Sequence, residues 1–171
     1  MLELQIIIYY YLIEEVQMGI IVSSVNINAP VDEVFALARK VEDFPDFMPD
    51  VKTVEVRERR DDGYTKTYWE AIASIRKIVK IVRWEEEENW DIENLSCTFA
   101  QTRGDYKHYK GGWKFEDAGD ATRVELTVDY DLGLPLIGPL IKRLLDKIMK
   151  ENCDSMLKAL KEKAEMKEGS N

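Results

Sequence analysis

His108 is the only histidine in the chain and the only side chain whose ordinary pKa lies near neutrality, so it is the first candidate for proton transfer. Tyr106 stands two residues before it, in the stretch DYKHYKGGWKFED over 105–117. Two arrangements of that stretch are open. A bulge at Gly111-Gly112 would bring Tyr106 and His108 to the same side as Trp113 and Phe115, whereas unbroken alternation groups Lys107, Tyr109, Trp113 and Phe115. A surface or simply packed histidine is the commoner case. Glu70 and Arg76 form a second candidate, a buried pair able to move a proton or orient an enolate, although an inward Trp69 sends Glu70 outward. Cys97 and Cys153 show no metal-ligand spacing, and a zinc site would have to recruit carboxylates, so no metal is expected.

The larger resource is aromatic. Trp69, Trp84, Phe99, Trp113 and Tyr130 are expected on one concave side, where a ring face can stack on a ligand while an N–H or O–H meets a polar group. Filling a core is the plainer role for any one of them. Asn152 follows Ile148 by four residues and precedes Met156 by four, which puts it beside Met149 in the apolar stripe of a helix. A buried amide there needs a partner in the sheet, a water or a ligand. No phosphate loop, dinucleotide fingerprint, nucleophile elbow or helical zinc motif occurs, so no cofactor is expected.

These residues need elements to hold them. IIVSSVNIN, from Ile20, has the β-branched content of a first strand. NAPVDEVFALARKVEDFPDFMP then repeats apolar residues at helical spacing until Pro45 and Pro49 break it, giving two short helices. VKTVEVRER and YTKTYWEAIAS are joined across Asp61-Asp62-Gly63, a hairpin signal. IRKIVKIVRWEEEE runs to a polar turn expected near Asn89, and NLSCTFAQ follows. The last strand, TRVELTVDYDL, sets Val124, Leu126, Val128, Tyr130 and Leu132 against Arg123, Glu125, Thr127, Asp129 and Asp131, one dry face and one wet. After the Gly/Pro cluster 133–139, a helix from Leu140 to about Ala164 would span roughly 37 Å. Its stripe of Ile141, Leu144, Leu145, Ile148, Met149, Met156, Leu157 and Leu160 is expected to cover the dry face of the sheet.

Charge and length narrow the partners. In 171 residues, 33 acidic side chains outnumber 24 basic ones for a net charge of −9, and stretches such as VRERRDD and LKEKAEMKE interleave the signs. Nucleic acid and anionic membrane are therefore disfavoured. One compact domain over 19–165 is the expectation, with a frayed tail at 166–171 and a cytoplasmic location in keeping with two unpaired cysteines. LQIIIYYYLI, within residues 1–18, falls well short of the roughly 20 apolar residues that span a bilayer, and it lacks a signal peptide's flanks. It reads either as a contact, possible between two copies through residues 1–17, or as sequence upstream of a start at Met18.

Five segments carry a family resemblance: INAPVDEVFALARKVEDFPDFMPDV (27–51), YWEA (68–71), YKGGWKFED (109–117), TRVELTVDYDLGLPLIGPL (122–140) and ENCDSMLKALK (151–161). With the element order, they resemble the polyketide cyclase/dehydrase family, which includes coenzyme Q-binding proteins, within the START and pollen-allergen-like superfamily. The resemblance implies an α+β helix-grip fold, a curved antiparallel sheet of about seven strands wrapped around a long C-terminal helix. It also implies a cavity between them for an apolar small molecule such as a lipid, quinone or polyketide. A carrier or binding protein is the first expectation and an aromatase/cyclase the second. A protein-interaction module is the third. No catalytic residue is carried over, because the matching segments are architectural.

Overall fold

The computed structural model describes residues 19–75, 78–133 and 139–168. The candidate Arg76 and the N-terminal segment 1–18 lie outside them. Seven strands form one antiparallel sheet in the order β1-β7-β6-β5-β4-β3-β2. They are β1 (Ile20–Ile27), β2 (Val51–Arg59), β3 (Tyr64–Ile75), β4 (Ile78–Asp91), β5 (Ser96–Gly104), β6 (His108–Asp117) and β7 (Thr122–Asp131). Between β1 and β2 come helix α1 (Val31–Ala38) and a short 3-10 helix, Val41–Asp46, with Pro45 inside it. The long helix α2 is Pro139–Glu168, and it runs past the expected end at Ala164. This is the helix-grip architecture.

Alternation decides what the sheet buries. In β7 Thr122, Val124, Leu126, Val128 and Tyr130 are buried while Arg123 is exposed and the residues between are half-covered. Gly63 has φ +94, which a side chain rarely adopts, and an added Cβ would lie 2.1 Å from the Trp90 carbonyl oxygen. The Asp-Asp-Gly turn is thus enforced by conformation and by space. β4 continues through Trp90 to Asp91, past the turn expected near Asn89, because Asn89 and Trp90 still pair with Thr98 and Cys97.

Gly111-Gly112 does not produce the bulge considered above: β6 pairs without interruption with both β5 and β7. The glycines serve close approach instead. A Cβ on Gly111 would sit 2.7 Å from the Phe99 ring and 2.0 Å from the Thr127 carbonyl oxygen, so the aromatic ring can lie against bare backbone. The register shifts fall in β2, between Val51 and Thr53 and between Val56 and Glu58, and between β4 and β5 at Glu85/Glu86.

α2 is moored along the β1 edge. The backbone N–H of Gly19 and the Tyr130 hydroxyl both donate to Asp146 Oδ1, at 3.3 and 3.1 Å. The Asn28 N–H donates to Glu165 at 2.8 Å, and Lys161 donates to the Asn26 carbonyl at 2.6 Å. Its buried residues are Leu145, Cys153, Leu157, Ala159, Leu160 and Ala164. Ile141 and Leu144, expected in the stripe, are 45 % and 38 % exposed. Helical spacing shows which residues share a face but not how far along the helix the covered surface extends.

Candidate functional site

A cavity lies between the inner face of β3–β6 and the middle of α2. About 790 Å³ there is free of atoms, part of it continuous with solvent, and about 70 Å³ admits the centre of a water molecule. A handful of waters fit such a space, at roughly 10–15 Å³ each. A fused ring or a long chain would need the lining to shift, and Met149 and Met156 are the side chains best able to do so. Trp69 and Trp84 are cross-strand partners whose rings stack, with centroids 5.6 Å apart and planes at 6°. Tyr106 and Tyr109 stack at 4.7 Å and both approach Trp84, at 5.9 and 5.6 Å.

Two buried carboxyl groups share this wall. β4 alternates Trp84, Glu86, Glu88 and Trp90 inward, and the two glutamates are 5 % and 2 % exposed. Each indole reaches along its own strand to a carboxylate: Trp84 Nε1 donates to Glu86 Oε2 at 2.7 Å and Trp90 Nε1 to Glu88 Oε2 at 2.8 Å. From β3, Trp69 Nε1 donates to Thr67 Oγ1 at 2.7 Å, and that hydroxyl donates to Glu88 Oε1 at 3.1 Å. Burial, reinforced by the Glu88 charge, raises the Glu86 carboxyl well above the ordinary carboxylate range, against the Trp84 bond. Burial raises Glu88 too, but two donors and the charge of Arg59 oppose it. Glu86 is therefore the member of the pair that keeps a proton, and Glu88 the one better able to carry charge. Burial also holds the Tyr106 and Tyr109 phenols neutral and pushes the Cys153 thiol up to about 12, so neither cysteine offers a ready thiolate. Among the described residues no cluster of three His, Cys, Asp or Glu side chains is placed to hold a metal ion.

Residues 27–157 match the model of a family described as polyketide cyclase / dehydrase and lipid transport. The chain belongs to that family. The crystal structure of TTHA0849 from Thermus thermophilus superposes with a TM-score of 0.79 at 36 % identity, over 90 % of this chain and 100 % of that one. The Zhui aromatase/cyclase of Streptomyces sp. R1128 has the same fold, with a TM-score of 0.74 and 21 % identity over 86 % of this chain and 93 % of its own. A stretch of 112 residues, 64 % of the chain, is 27 % identical to the actinorhodin polyketide synthase bifunctional cyclase/dehydratase of Streptomyces coelicolor. The match spans 34 % of that longer protein.

In this member of the family, Trp69, Trp84, Phe99, Tyr106, Trp113, Met149, Asn152 and Met156 all line the cavity. Tyr130 does not; it is 1 % exposed and directs its hydroxyl to Asp146 on α2. His108 is on the other side of the sheet. Its imidazole Nε2 lies 3.1 Å from Asp129 Oδ2 with the side chain 40 % exposed, because unbroken β6 pairing gives the inward positions to Tyr109, Gly111, Trp113 and Phe115. Tyr106 nevertheless turns inward, since it sits before the strand begins and is not bound by its alternation. Glu70 faces outward, bonded to Arg83 at 2.9 Å, Tyr68 at 2.9 Å and Lys52 at 3.3 Å. The Asn152 amide has no hydrogen-bond partner among the described residues.

Glu86, Glu88 and Trp90 were not candidates from sequence, and Tyr109 entered only through the unbroken alternation of β6, which is the arrangement observed. A run of four glutamates reads as a solvated face. The available signal was the even spacing from Trp84 to Trp90: two inward tryptophans six residues apart on one strand carry the second and fourth positions between them inward as well.

Proposed function

We propose that the protein binds an apolar small molecule, of lipid, quinone or polyketide-like chemistry, between the sheet and α2, as a carrier or binding protein. The observation that supports this most is the cavity itself, whose stacked Trp69–Trp84 pair and Tyr106–Tyr109 pair offer flat apolar surface beneath a helix with flexible methionines. Family membership favours the same reading. Native mass spectrometry of protein from its own host, followed by organic extraction, tests it. A retained small molecule is expected, and Met156→Trp, which fills the space, is expected to abolish retention while the protein still folds. A protein that is consistently empty and releases nothing to organic solvent refutes the reading.

Aldol closure and dehydration of a polyketide chain is the second reading. It is favoured by one feature of the wall, the Glu86 carboxyl, which holds a proton where a leaving hydroxyl could take it up. Turnover of a poly-β-ketone substrate that survives Glu86→Gln would remove that residue from the chemistry.

A further inference from the structure

The cavity wall is one-sided in its chemistry. Among the described residues that line it are Asp50, Glu86 and Glu88, and no lysine, arginine or histidine. The indole N–H groups that could have met an anionic or carbonyl-bearing ligand are used inside the sheet, by Thr67, Glu86 and Glu88. What Trp69, Trp84 and Trp90 leave for an occupant is mainly the electron-rich faces of their rings.

An acceptor without a donor sharpens the asymmetry. Glu86 is 5 % exposed, and its one hydrogen bond among the described residues is the Trp84 indole to Oε2, so Oε1 has no donor. The Asn152 amide and the Tyr106 and Tyr109 hydroxyls are donors within the wall, but its described residues bring three carboxyl groups and no positive charge. An ammonium group supplies that charge, and it gains from aromatic faces as well as from a carboxylate. The net charge of −9 attracts the same kind of molecule from solution.

We propose that the molecule taken by this cavity is an organic cation, a protonated amine or quaternary ammonium on an apolar body, with its nitrogen at Glu86 against the rings of Trp84, Tyr106 and Tyr109. The assignment rests on the reading of the cavity as a small-molecule site and names the chemical class that fits it. Lipid headgroups and free aromatic amines both carry such a group. In the empty cavity Glu88, held by Trp90 and Thr67, is the charged member of the pair, and an arriving ammonium makes Glu86 release its proton to solvent and face it as a carboxylate.

The test is a set of calorimetric and tryptophan-fluorescence titrations with three probes of one size class: 2-phenylethylamine, phenethyltrimethylammonium and 2-phenylethanol. Choline-headed and neutral-headed lipids of equal chain length form a second pair, which separates a lipid source from a free amine. Both cations of the first set are expected to bind about tenfold or more tightly than the alcohol, the range for one charged contact with an aromatic face and a buried acid. Glu86→Gln is expected to bring the three within about threefold of one another, with near-ultraviolet circular dichroism unchanged. Asp50→Asn serves as a second variant should Glu86→Gln fold poorly, and a partial loss of the preference is expected there. An alcohol that binds as tightly as the amines, or a preference untouched by both variants, overturns the cation assignment and leaves the small-molecule site standing. Failure of all three probes and of both lipids to bind overturns the assignment and the site together.

Discussion

Glu70 on β3 and Glu86 on β4 belong to neighbouring strands of one sheet and differ in which side they face. Glu70, on the wet side, is held down to about 2, first by its bond to Arg83 and then by Tyr68 and Lys52. Glu86, on the dry side, is driven up by burial and by Glu88, with only the Trp84 indole in opposition. Residue type is the same in both places. Solvent and the supply of donors decide whether the group is a fixed charge or a proton carrier.

The strongest challenge to this contrast is to remove the buried acceptor. Glu88→Ala strands the Trp90 N–H and the Thr67 hydroxyl inside the protein, and a loss of about 2–5 kcal/mol is expected in urea unfolding, from two buried groups left unsatisfied. A loss near that of an exposed site would mean that water reaches the pair. Next comes pH. Because the Glu86 carboxyl is raised in the folded protein, its contribution is complete below the ordinary glutamate value of 4.5 and declines as pH climbs through the folded value. Glu88, Cys97, Tyr106 and Tyr109 are the titratable groups that interact with it. Glu86→Gln should therefore match the parent near pH 4 and exceed it by about 1–3 kcal/mol at pH 8, as read from melting curves. Equal slopes in both proteins would show that Glu86 is not desolvated.

Asn152→Leu is expected to stabilise the empty protein by about 1 kcal/mol, through loss of an unpartnered amide, and to weaken ligand retention. An unchanged melting temperature together with unchanged retention would place the amide in water. The smallest effects belong to the wet face. His108→Gln and Glu70→Gln should leave ligand binding as it was, and carboxyl NMR should find Glu70 titrating at about 2 while Glu86 titrates on the far side of the ordinary range. Coincident titration of the two carboxyl groups would erase the contrast.

Much of this arrangement is legible in the sequence, and what is not has physical reasons. Alternation in TRVELTVDYDL and the Asp-Asp-Gly turn are local signals, and the structure keeps both. The phase of β6 depends on whether two glycines add a residue to the ladder, and only the partners Phe99 and Thr127 settle that. Glu86 and Glu88 were masked by their own polarity, since a charge run predicts solvent unless the flanking tryptophans are counted first. Ile141 and Leu144 show the reverse error: apolar residues at correct helical spacing remain exposed near the start of the helix, because spacing alone does not say what covers them.

The mooring of α2 has a consequence for size. Its ties to Asn26, Asn28, Gly19 and Tyr130 all belong to one margin of the sheet, whereas Met149, Asn152 and Met156 look across the void without a hydrogen bond to the opposite wall among the described residues. Tilting the rod about that margin would enlarge the chamber and leave every strand ladder intact. The capacity of the chamber is therefore set by loose side-chain contact, and the shape of its floor by the much stiffer mesh of paired backbones.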